Sequence, residues 1–549
     1  MLTVSNVSKQ FPGADDPVLK NITFSVNPGE RVGLVGPNGS GKTTLLRIIM
    51  GEVVPDAGGV QFTPAGLRVG YLAQGLEAPD DTPLGDVIDP QAAALRRSEA
   101  EVERLAAAMA GDGNLDRIMA DYADALERLE DLSRRAGSGE ADRVLAGLSL
   151  ADIPRDAPVG HLSGGQKTRL GLASLLVGDP QLLILDEPTN HLDITALEWL
   201  EGWLRGFSGG VLIVSHDRTF LDETVTRVVA LDDRTHTARV FEGNYSAYVG
   251  AVRSELDKQW AVWRDQQVEI GRLQVDARQT MSRAVTKEKA THDSTQRRYA
   301  KKVAARAKAK ETRLKRYIDS DERVDKPTPT WNLKLDFGDL PTTGQDVVFL
   351  EDLTIGYAPD VPLLCDLTLT LRAGERVAVL GPNGHGKSTL LKTVIGQIPP
   401  LAGRVRIGAS VKIGYLAQQQ EILDPDSNAL DVIQAAAPLN QTDARSFLHF
   451  FLFSGDDVFT PVSSLSYGER ARLMLAMLVV RGANLLVLDE PINHLDVPSR
   501  EQFEQALASF KGSVLAVVHD RYFVDKFATT VWHVEDGDLD VIVREPIMA

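Results

Sequence analysis

Residues Arg31–Ile48 read RVGLVGPNGSGKTTLLRI. A short apolar run, a turn with glycine at 36, 39 and 41, and a helix-compatible run from Lys42 spell strand, turn and helix, and the turn fits G-x-x-x-x-G-K-[ST]. Such a turn aims backbone N–H groups and the positive end of the following helix at phosphate. Gly36, Pro37, Asn38, Gly39, Ser40 and Gly41 are therefore read as a phosphate cradle, with Lys42 on the terminal oxygens and Thr43, followed by Thr44, on Mg²⁺. The fold that carries this loop is α/β.

Outward from the loop, HLSGGQ at His161–Gln166 opens another helix with Ser163 as its cap. Two glycines at a helix N-terminus make a second anion site, and one nucleotide has no need of two in tandem. Ser163, Gly164, Gly165 and Gln166 thus read as contacts to a phosphate bound elsewhere. LLILDEPTNHLD is an apolar strand ending in Asp186 and Glu187. One carboxylate can hold the Mg²⁺ shell while the other polarises the attacking water, as phosphoanhydride hydrolysis requires. His216 leaves the strand VLIVSHD where it can hydrogen-bond a γ-phosphate, and Gln74 ends the strand VGYLAQ. Phe11, one strand and turn before the phosphate loop, reads equally as core or as a surface for adenine.

All of this returns further along the chain. Gly381, Pro382, Asn383, Gly384, His385, Gly386, Lys387, Ser388 and Thr389 form a second phosphate loop, with Tyr357 as the counterpart of Phe11 and Gln418 ending a second YLAQ. Ser466, Gly468 and Glu469 belong to LSYGE, Asp489 and Glu490 to LLVLDEPINHLD, and His519 to VLAVVHD. The lysines are 345 residues apart and the glutamines 344, but the signature serines, the aspartates and the histidines are all 303 apart. A tandem duplication explains the register, with about 41 additional residues in the first copy. They are assigned to a helical insertion at about 92–135, broken at GDGN; it is acidic and alanine-rich, and is read as a plain helical face. Departures between copies are His385 for Ser40, Tyr467 for Gly164, Glu469 for Gln166 and Ile492 for Thr189. With both glutamates and both histidines present, both sites are expected to hydrolyse, unequally if Tyr467 crowds its nucleotide.

Between the copies lies a stretch of opposite character. From Arg283 to Arg316 it has 13 lysines and arginines against three acidic residues, a net +10 in a chain of net −17. No proline occurs between Pro188 and Pro327, and apolar residues recur at helical spacing as Leu256, Trp260, Trp263, Ile270 and Leu273, then Tyr299, Val303, Ala307, Leu314 and Tyr317. Two stripes separated by the polar residues 291–296 predict two long helices folded back on each other. Taken alone, such a charge run is most simply a solvated linker.

Composition narrows the class. The single cysteine, Cys365, excludes an intrachain disulfide framework, a cysteine-built zinc site and an iron–sulfur cluster, and a reducing cytoplasm is the expected location. The N-terminal MLTVSNVSKQF lacks the apolar core of a signal peptide, and no run approaches the ~20 apolar residues that span a bilayer. Direct membrane insertion is not expected.

The assembled motifs resemble the ATP-binding cassette superfamily, over nearly all of residues 1–245 and again in the second copy. The resemblance makes Gln74 and Gln418 metal- and nucleotide-contacting residues, LSGGQ the signature, and Asp193 the D-loop aspartate. It implies head-to-tail pairing, in which Lys42, Thr43, Asp186, Glu187 and His216 meet Ser466 and Gly468 at site one. Lys387, Ser388, Asp489, Glu490 and His519 then meet Ser163 and Gly165 at site two. Glu187, Glu490, His216 and His519 would be catalytic; Thr43, Gln74, Asp186, Ser388, Gln418 and Asp489 would surround Mg²⁺.

PTNHLD, echoed by PINHLD, and GNYSAY at Gly243–Tyr248 before a charged helical linker resemble the ABC-F family of ribosome-associated ATPases. The resemblance implies an ATPase that closes on two ATP as a monomer. Its linker would enter the ribosomal tRNA exit site toward P-site tRNA and the peptidyl-transferase centre. Arg283, Lys287, Lys289, Arg297, Arg298, Lys301, Lys302 and Arg306 are then the expected contacts to large-subunit rRNA and tRNA, by charge and shape. Expected domains are 1–250, a cassette; 251–326, the basic helical hairpin; and 327–549, a second cassette, with no extension after it for further ribosome contacts. The alternative is a tandem nucleotide-binding subunit of a membrane transporter, which leaves the basic stretch unexplained.

Overall fold

The computed structural model of the protein describes all residues except 14–15, 73–77, 110–118, 120, 127, 131–139, 191, 290–301, 303–304, 306–307, 311, 313–314, 316–343, 418–422, 454, 494 and 545–549. It divides into two compact units, Met1–Tyr245 with Leu333–Ala549, and Ser246–Asn332. The two copies of the duplication, expected as separate domains, thus form one unit, held by bonds from each copy to the other.

The first copy runs β1 (Leu2–Lys9), β2 (Leu19–Val26), β3 (Arg31–Val35), β4 (Ala57–Phe62), β5 (Val69–Leu72), β6 (Leu182–Asp186), β7 (Gly210–Val214), β8 (Arg227–Leu231) and β9 (Ala238–Glu242). Three strands make a small antiparallel sheet in the order β2-β1-β4; the others form a sheet ordered β5-β6-β7-β3-β8-β9, parallel except at β9. β6, apolar up to its last residue Asp186, and β7, apolar throughout, are wholly buried, as strands covered on both faces must be. β3 sits between β7 and β8, so the carboxyl ends of β3, β6 and β7 open into one crevice where strand order reverses.

The second copy repeats the plan. β10 (Asp346–Ala358), β11 (Val361–Arg372) and β13 (Ala402–Ile407), with β12 (Arg376–Leu380) between them in the chain, give the antiparallel order β11-β10-β13. β14 (Ile413–Leu416), β15 (Leu485–Asp489), β16 (Ser513–Val517), β17 (Thr530–Glu535) and β18 (Asp538–Val543) join β12 in the order β14-β15-β16-β12-β17-β18. Between β5 and β6 the first copy has helices Leu84–Ile88, Pro90–Ala108 and Glu140–Gly147, and residues 121–126 and 128–130 are helical. The second copy has helices Ala429–Ala436 and Gln441–Phe450 there.

In the second unit, helix Tyr245–Lys289 extends for 45 residues, and Leu256, Trp260, Trp263, Ile270 and Leu273 lie half-buried along it. Trp260 and Trp263 meet edge to face at 5.5 Å. Residues 302, 305, 308–310, 312 and 315 are helical, and Lys310 Nζ donates to Asp276 Oδ2 at 2.7 Å, 34 residues back. Tyr299, Val303, Ala307, Leu314 and Tyr317 lie outside the described residues.

Candidate ATP sites between the two copies

Each phosphate loop leaves its sheet through glycines no other residue would replace. Gly41 precedes helix Lys42–Ile49 with φ 93°, and a Cβ there would lie 2.8 Å from Leu19 Cδ2. Gly386 holds φ 95° in the second copy. The helix that follows stays put because Leu45, Leu46, Ile48 and Ile49 enter the core under β3. Lys42 Nζ donates to the Gly36 and Pro37 carbonyls at 2.8 and 2.9 Å, and Lys387 to those of Gly381 and Pro382 at 2.7 Å each. Burial lowers both lysines, Lys387 to about 8, against the opposing pull of nearby carboxylates.

Two cavities result. The first, about 460 Å³, is lined by Asn38, Gly39, Lys42, Thr43, Thr44, Asp186, Glu187 and His216, and by Arg500 from the second copy. The other, about 200 Å³, brings Ser163 and Gly165 of the first copy against Asn383, Glu490 and His519 of the second. Ser466 and Gly468 do not line the first cavity.

Glu187 and Glu490 occupy the left-handed region at φ 52° and 50°, where a side chain of this size rarely sits. The glutamate N–H is tied to the neighbouring strand, Glu187 to the Val214 carbonyl at 2.8 Å and Glu490 to that of Val517 at 3.0 Å, which holds the strained turn. His216 Nε2 approaches Glu187 Oε1 to 3.3 Å, and His519 Nε2 approaches Glu490 Oε1 to 3.5 Å. Glu187 Oε1 is buried without completing a hydrogen bond, which leaves an acceptor open toward the cavity. Burial raises Glu187 to about 7 despite Arg500, and burial with the Lys42 and Arg500 charges lowers His216 to about 3. The imidazole is therefore neutral at physiological pH.

Magnesium fits these residues as an ion carried by its nucleotide. Ser388 Oγ donates to Asp489 Oδ1 at 2.9 Å, and Thr43 and Asp186 line the first cavity together. One hydroxyl and one carboxylate per site suit an octahedral ion that keeps water and phosphate ligands. Among the described residues no group of three His, Cys, Asp or Glu forms a protein cage.

The remaining expected residues are distributed as follows. Ser163 caps its helix, and Gln166 returns the bond to the Ser163 N–H at 2.8 Å; Ser466 and Glu469 repeat this box. Gln166 and Glu469 thus spend their side chains on the cap. Tyr467 packs on the core of its own copy and does not line the first cavity, so the expected crowding of a nucleotide has no counterpart there. A Cβ at Gly164 would meet nothing within 4 Å, which explains why the position accepts a tyrosine in the other copy. Thr189 and Ser215 share a hydrogen bond of 3.0 Å, and Ile492 and Val518 replace both with buried apolar groups. His385 Nδ1 lies 3.2 Å from the Asn383 carbonyl. Phe11 is 41% exposed and Tyr357 73%, so neither is core. Gln74, Gln418, Arg297, Arg298, Lys301 and Arg306 lie outside the described residues; Arg283, Lys287 and Lys289 are helical, and Lys302 is helical and exposed.

Of the bonds between the copies, those of the D-loop aspartates fall on motif residues, whereas the arginine–glutamate pairs have no motif of their own in the sequence. The Asn38 N–H donates to Asp496 Oδ2 at 2.7 Å, and the Asn383 N–H to Asp193 Oδ2 at 3.2 Å. Each D-loop aspartate also caps its own helix, accepting from Ala196 or Ser499. Arg218 faces Glu504 at 3.5 Å and Glu501 at 3.8 Å across the junction, and Arg521 pairs with Glu201 and faces Glu198 at 3.7 Å. The 303-residue interval is the signal that could have found them: it relates Arg218 to Arg521, Glu198 to Glu501 and Glu201 to Glu504.

With this geometry in view, comparison with known proteins places the chain. The ABC transporter family profile matches residues 19–190 and 364–493. ABC transporter F family member 2 of Arabidopsis thaliana is 36% identical over 553 residues, covering 98% of this chain and 76% of that protein. The tylosin resistance ATP-binding protein TlrC of Streptomyces fradiae is 35% identical over 557 residues, covering 98% and 97%. A structure described as RNase-L Inhibitor shares the fold, with TM-score 0.60 and 17% identity over 97% of this chain and 90% of that one.

Proposed function

The chain belongs to the F family of ATP-binding cassette ATPases, and from that premise we propose that it closes on two ATP molecules and engages the ribosome through its basic linker. The observation that carries the first half is the reciprocal pair of D-loop bonds, Asp496 to Asn38 and Asp193 to Asn383. Each copy already holds the other's phosphate loop, which is the arrangement that makes bound ATP part of the junction. Thr43 with Asp186, and Ser388 with Asp489, would hold Mg²⁺, and the ion would supply positive charge to offset that developing on the phosphates. Glu187 and Glu490 accept a proton from the attacking water, and His216, held neutral by its burial, and His519 orient on the γ-phosphate. ATP stabilises the closed state and hydrolysis removes that stabilisation, so the molecule is a ligand-driven switch.

The second half rests on charge. A net +10 between Arg283 and Arg316 in an otherwise acidic chain suits RNA phosphates, and the Lys310–Asp276 pair supports a hairpin as the way it is presented. The linker would act near the tRNA exit site and the peptidyl-transferase centre, to regulate translation or to protect it from inhibitors. One relative is named for tylosin resistance, which favours testing protection directly. A Glu187→Gln, Glu490→Gln protein should co-sediment with ribosomes in ATP and not in ADP. Glutamates at Arg297, Arg298, Lys301 and Lys302 should weaken that binding. Ribosome binding in neither nucleotide would end the reading, and binding unaffected by the charge reversal would remove the linker from it.

A further inference from the structure

Helix Val497–Ala508 starts beside the D-loop aspartate Asp496 and carries Arg500 one turn in. Arg500 is only 7% exposed. Its Nε donates to the Leu495 carbonyl at 3.0 Å and its Nη1 to Asp520 Oδ2 at 2.8 Å. Leu495 adjoins Asp496, which accepts from Asn38 in the phosphate loop of site one. Asp520 adjoins His519, the γ-phosphate histidine of site two. Arg500 also lines both cavities. The chain of bonds therefore runs from one nucleotide site to the other through one side chain.

The mirror path is broken. At the equivalent place, 303 residues earlier, stands Leu197, buried and without a donor. Asp217, the counterpart of Asp520, therefore has no arginine at the matching position of its own copy. We propose that Arg500 is a positioning residue that couples the two ATP sites, holding the histidine loop of site two and the D-loop of site one in one arrangement. The inference rests on the reading that each cavity takes one ATP. When the γ-phosphate at site two is lost, Asp520 is released with His519 and the D-loop at site one loses a fixed support. Packed junctions of this sort switch between arrangements rather than stretch. For binding, the coupling acts equally in both directions; for hydrolysis it need not. A buried arginine that only filled space would be replaceable by a well-packed apolar residue with little effect.

The test compares Arg500→Leu, Arg500→Lys and Asp520→Asn with the unaltered protein. ATP stoichiometry and binding cooperativity are both measured by equilibrium dialysis in the Glu187→Gln, Glu490→Gln background, where hydrolysis does not enter the reading. The unaltered protein should bind two ATP with a Hill coefficient near its ceiling of about 2. Arg500→Leu should still bind two ATP while its Hill coefficient falls to about 1, a loss of at least about fivefold in the affinity of each site for ATP once the other is filled. Arg500→Lys should keep part of the coupling. Asp520→Asn retains a helix cap and should reproduce the leucine variant, with no further loss when the two are combined. An unchanged Hill coefficient in the leucine and asparagine variants overturns the proposal, as does a non-cooperative unaltered protein. Loss of ATP binding in both variants makes Arg500 a structural joint and also overturns it. If the unaltered protein binds fewer than two ATP, the placement of one nucleotide per cavity fails instead.

Discussion

Site one and site two share their backbones and differ in what surrounds them. Both glutamates sit near φ 50°, both phosphate-loop lysines turn back on their own carbonyls, and each D-loop reaches the opposite loop. Around this common frame, the D-loop bond is 2.7 Å at site one and 3.2 Å at site two, a hydroxyl pair is exchanged for an apolar pair, and Arg500 has only Leu197 opposite it. The lesson is that geometry needed to cleave a phosphoanhydride tolerates little change, whereas the junction that relates the two sites is where one half can be made different from the other. Strained turns and glycine contacts depend on backbone, and side chains can vary only where the backbone does not depend on them.

The sharpest test of that comparison is to silence the sites one at a time. Glu187→Gln and Glu490→Gln each remove a proton acceptor while keeping shape, and loss of a general base costs about 10²–10⁴-fold at the affected site. The two variants should differ in residual turnover, because Arg500 lends its charge to Glu187 and His216. Equal residual rates would mean that the difference at the junction does not reach the chemistry.

A smaller effect is expected where the copies grip each other. Arg218 is 8% exposed and faces Glu504, Glu501 and the Val497 carbonyl, while Arg521 is 21% exposed and faces Glu201 and Glu198. Removing one partner of a buried pair costs about 3–5 kcal/mol, since the carboxylate left behind stays desolvated, and partial exposure reduces that cost. Arg218→Ala should therefore lower the melting temperature of the ATP-bound protein more than Arg521→Ala. The reverse order would show that exposure is not what distinguishes the two grips.

Much of the common frame is legible in the amino-acid sequence. The phosphate loops, the carboxylate pairs and the histidines are readable because phosphate chemistry dictates both residue type and spacing, and the duplication then places every motif twice. The fold follows from the same stretch, since strand, glycine turn and helix admit few arrangements. Glu187 is legible as a candidate base but its left-handed backbone is not, because that strain is imposed by the bond to Val214 on a neighbouring strand. Arg500 is illegible for another reason: it lies outside every motif, and its meaning depends on Leu495 and Asp520, one five residues before it and one 20 after it. Tyr467 misleads because a large residue in a glycine motif suggests obstruction, while the helix N-terminus turns it onto its own core.

The last expected difference is in stability. Glu187 has an ordinary value of 4.5 raised to about 7 by burial, so the folded protein binds its proton more tightly than the unfolded chain does. Holding this carboxylate charged therefore opposes folding: the penalty is absent below about pH 4.5, grows as pH rises toward 7 and is complete above that. His216 acts at the other end, since burial lowers it from 6.5 to about 3, and its contribution is full above 6.5 and lost progressively as pH falls. Replacing Glu187 with glutamine removes only the first of these two contributions. The variant should melt at the same temperature as the unaltered protein near pH 4.5 and at a higher one near pH 8, with the gap opening between. Differential scanning calorimetry without nucleotide would measure it, and Glu490→Gln run alongside would show whether site two carries the same burden. A gap that does not change with pH would mean that Glu187 is not held against its charge, and that the cost of keeping a base ready for water is not what sets site one apart.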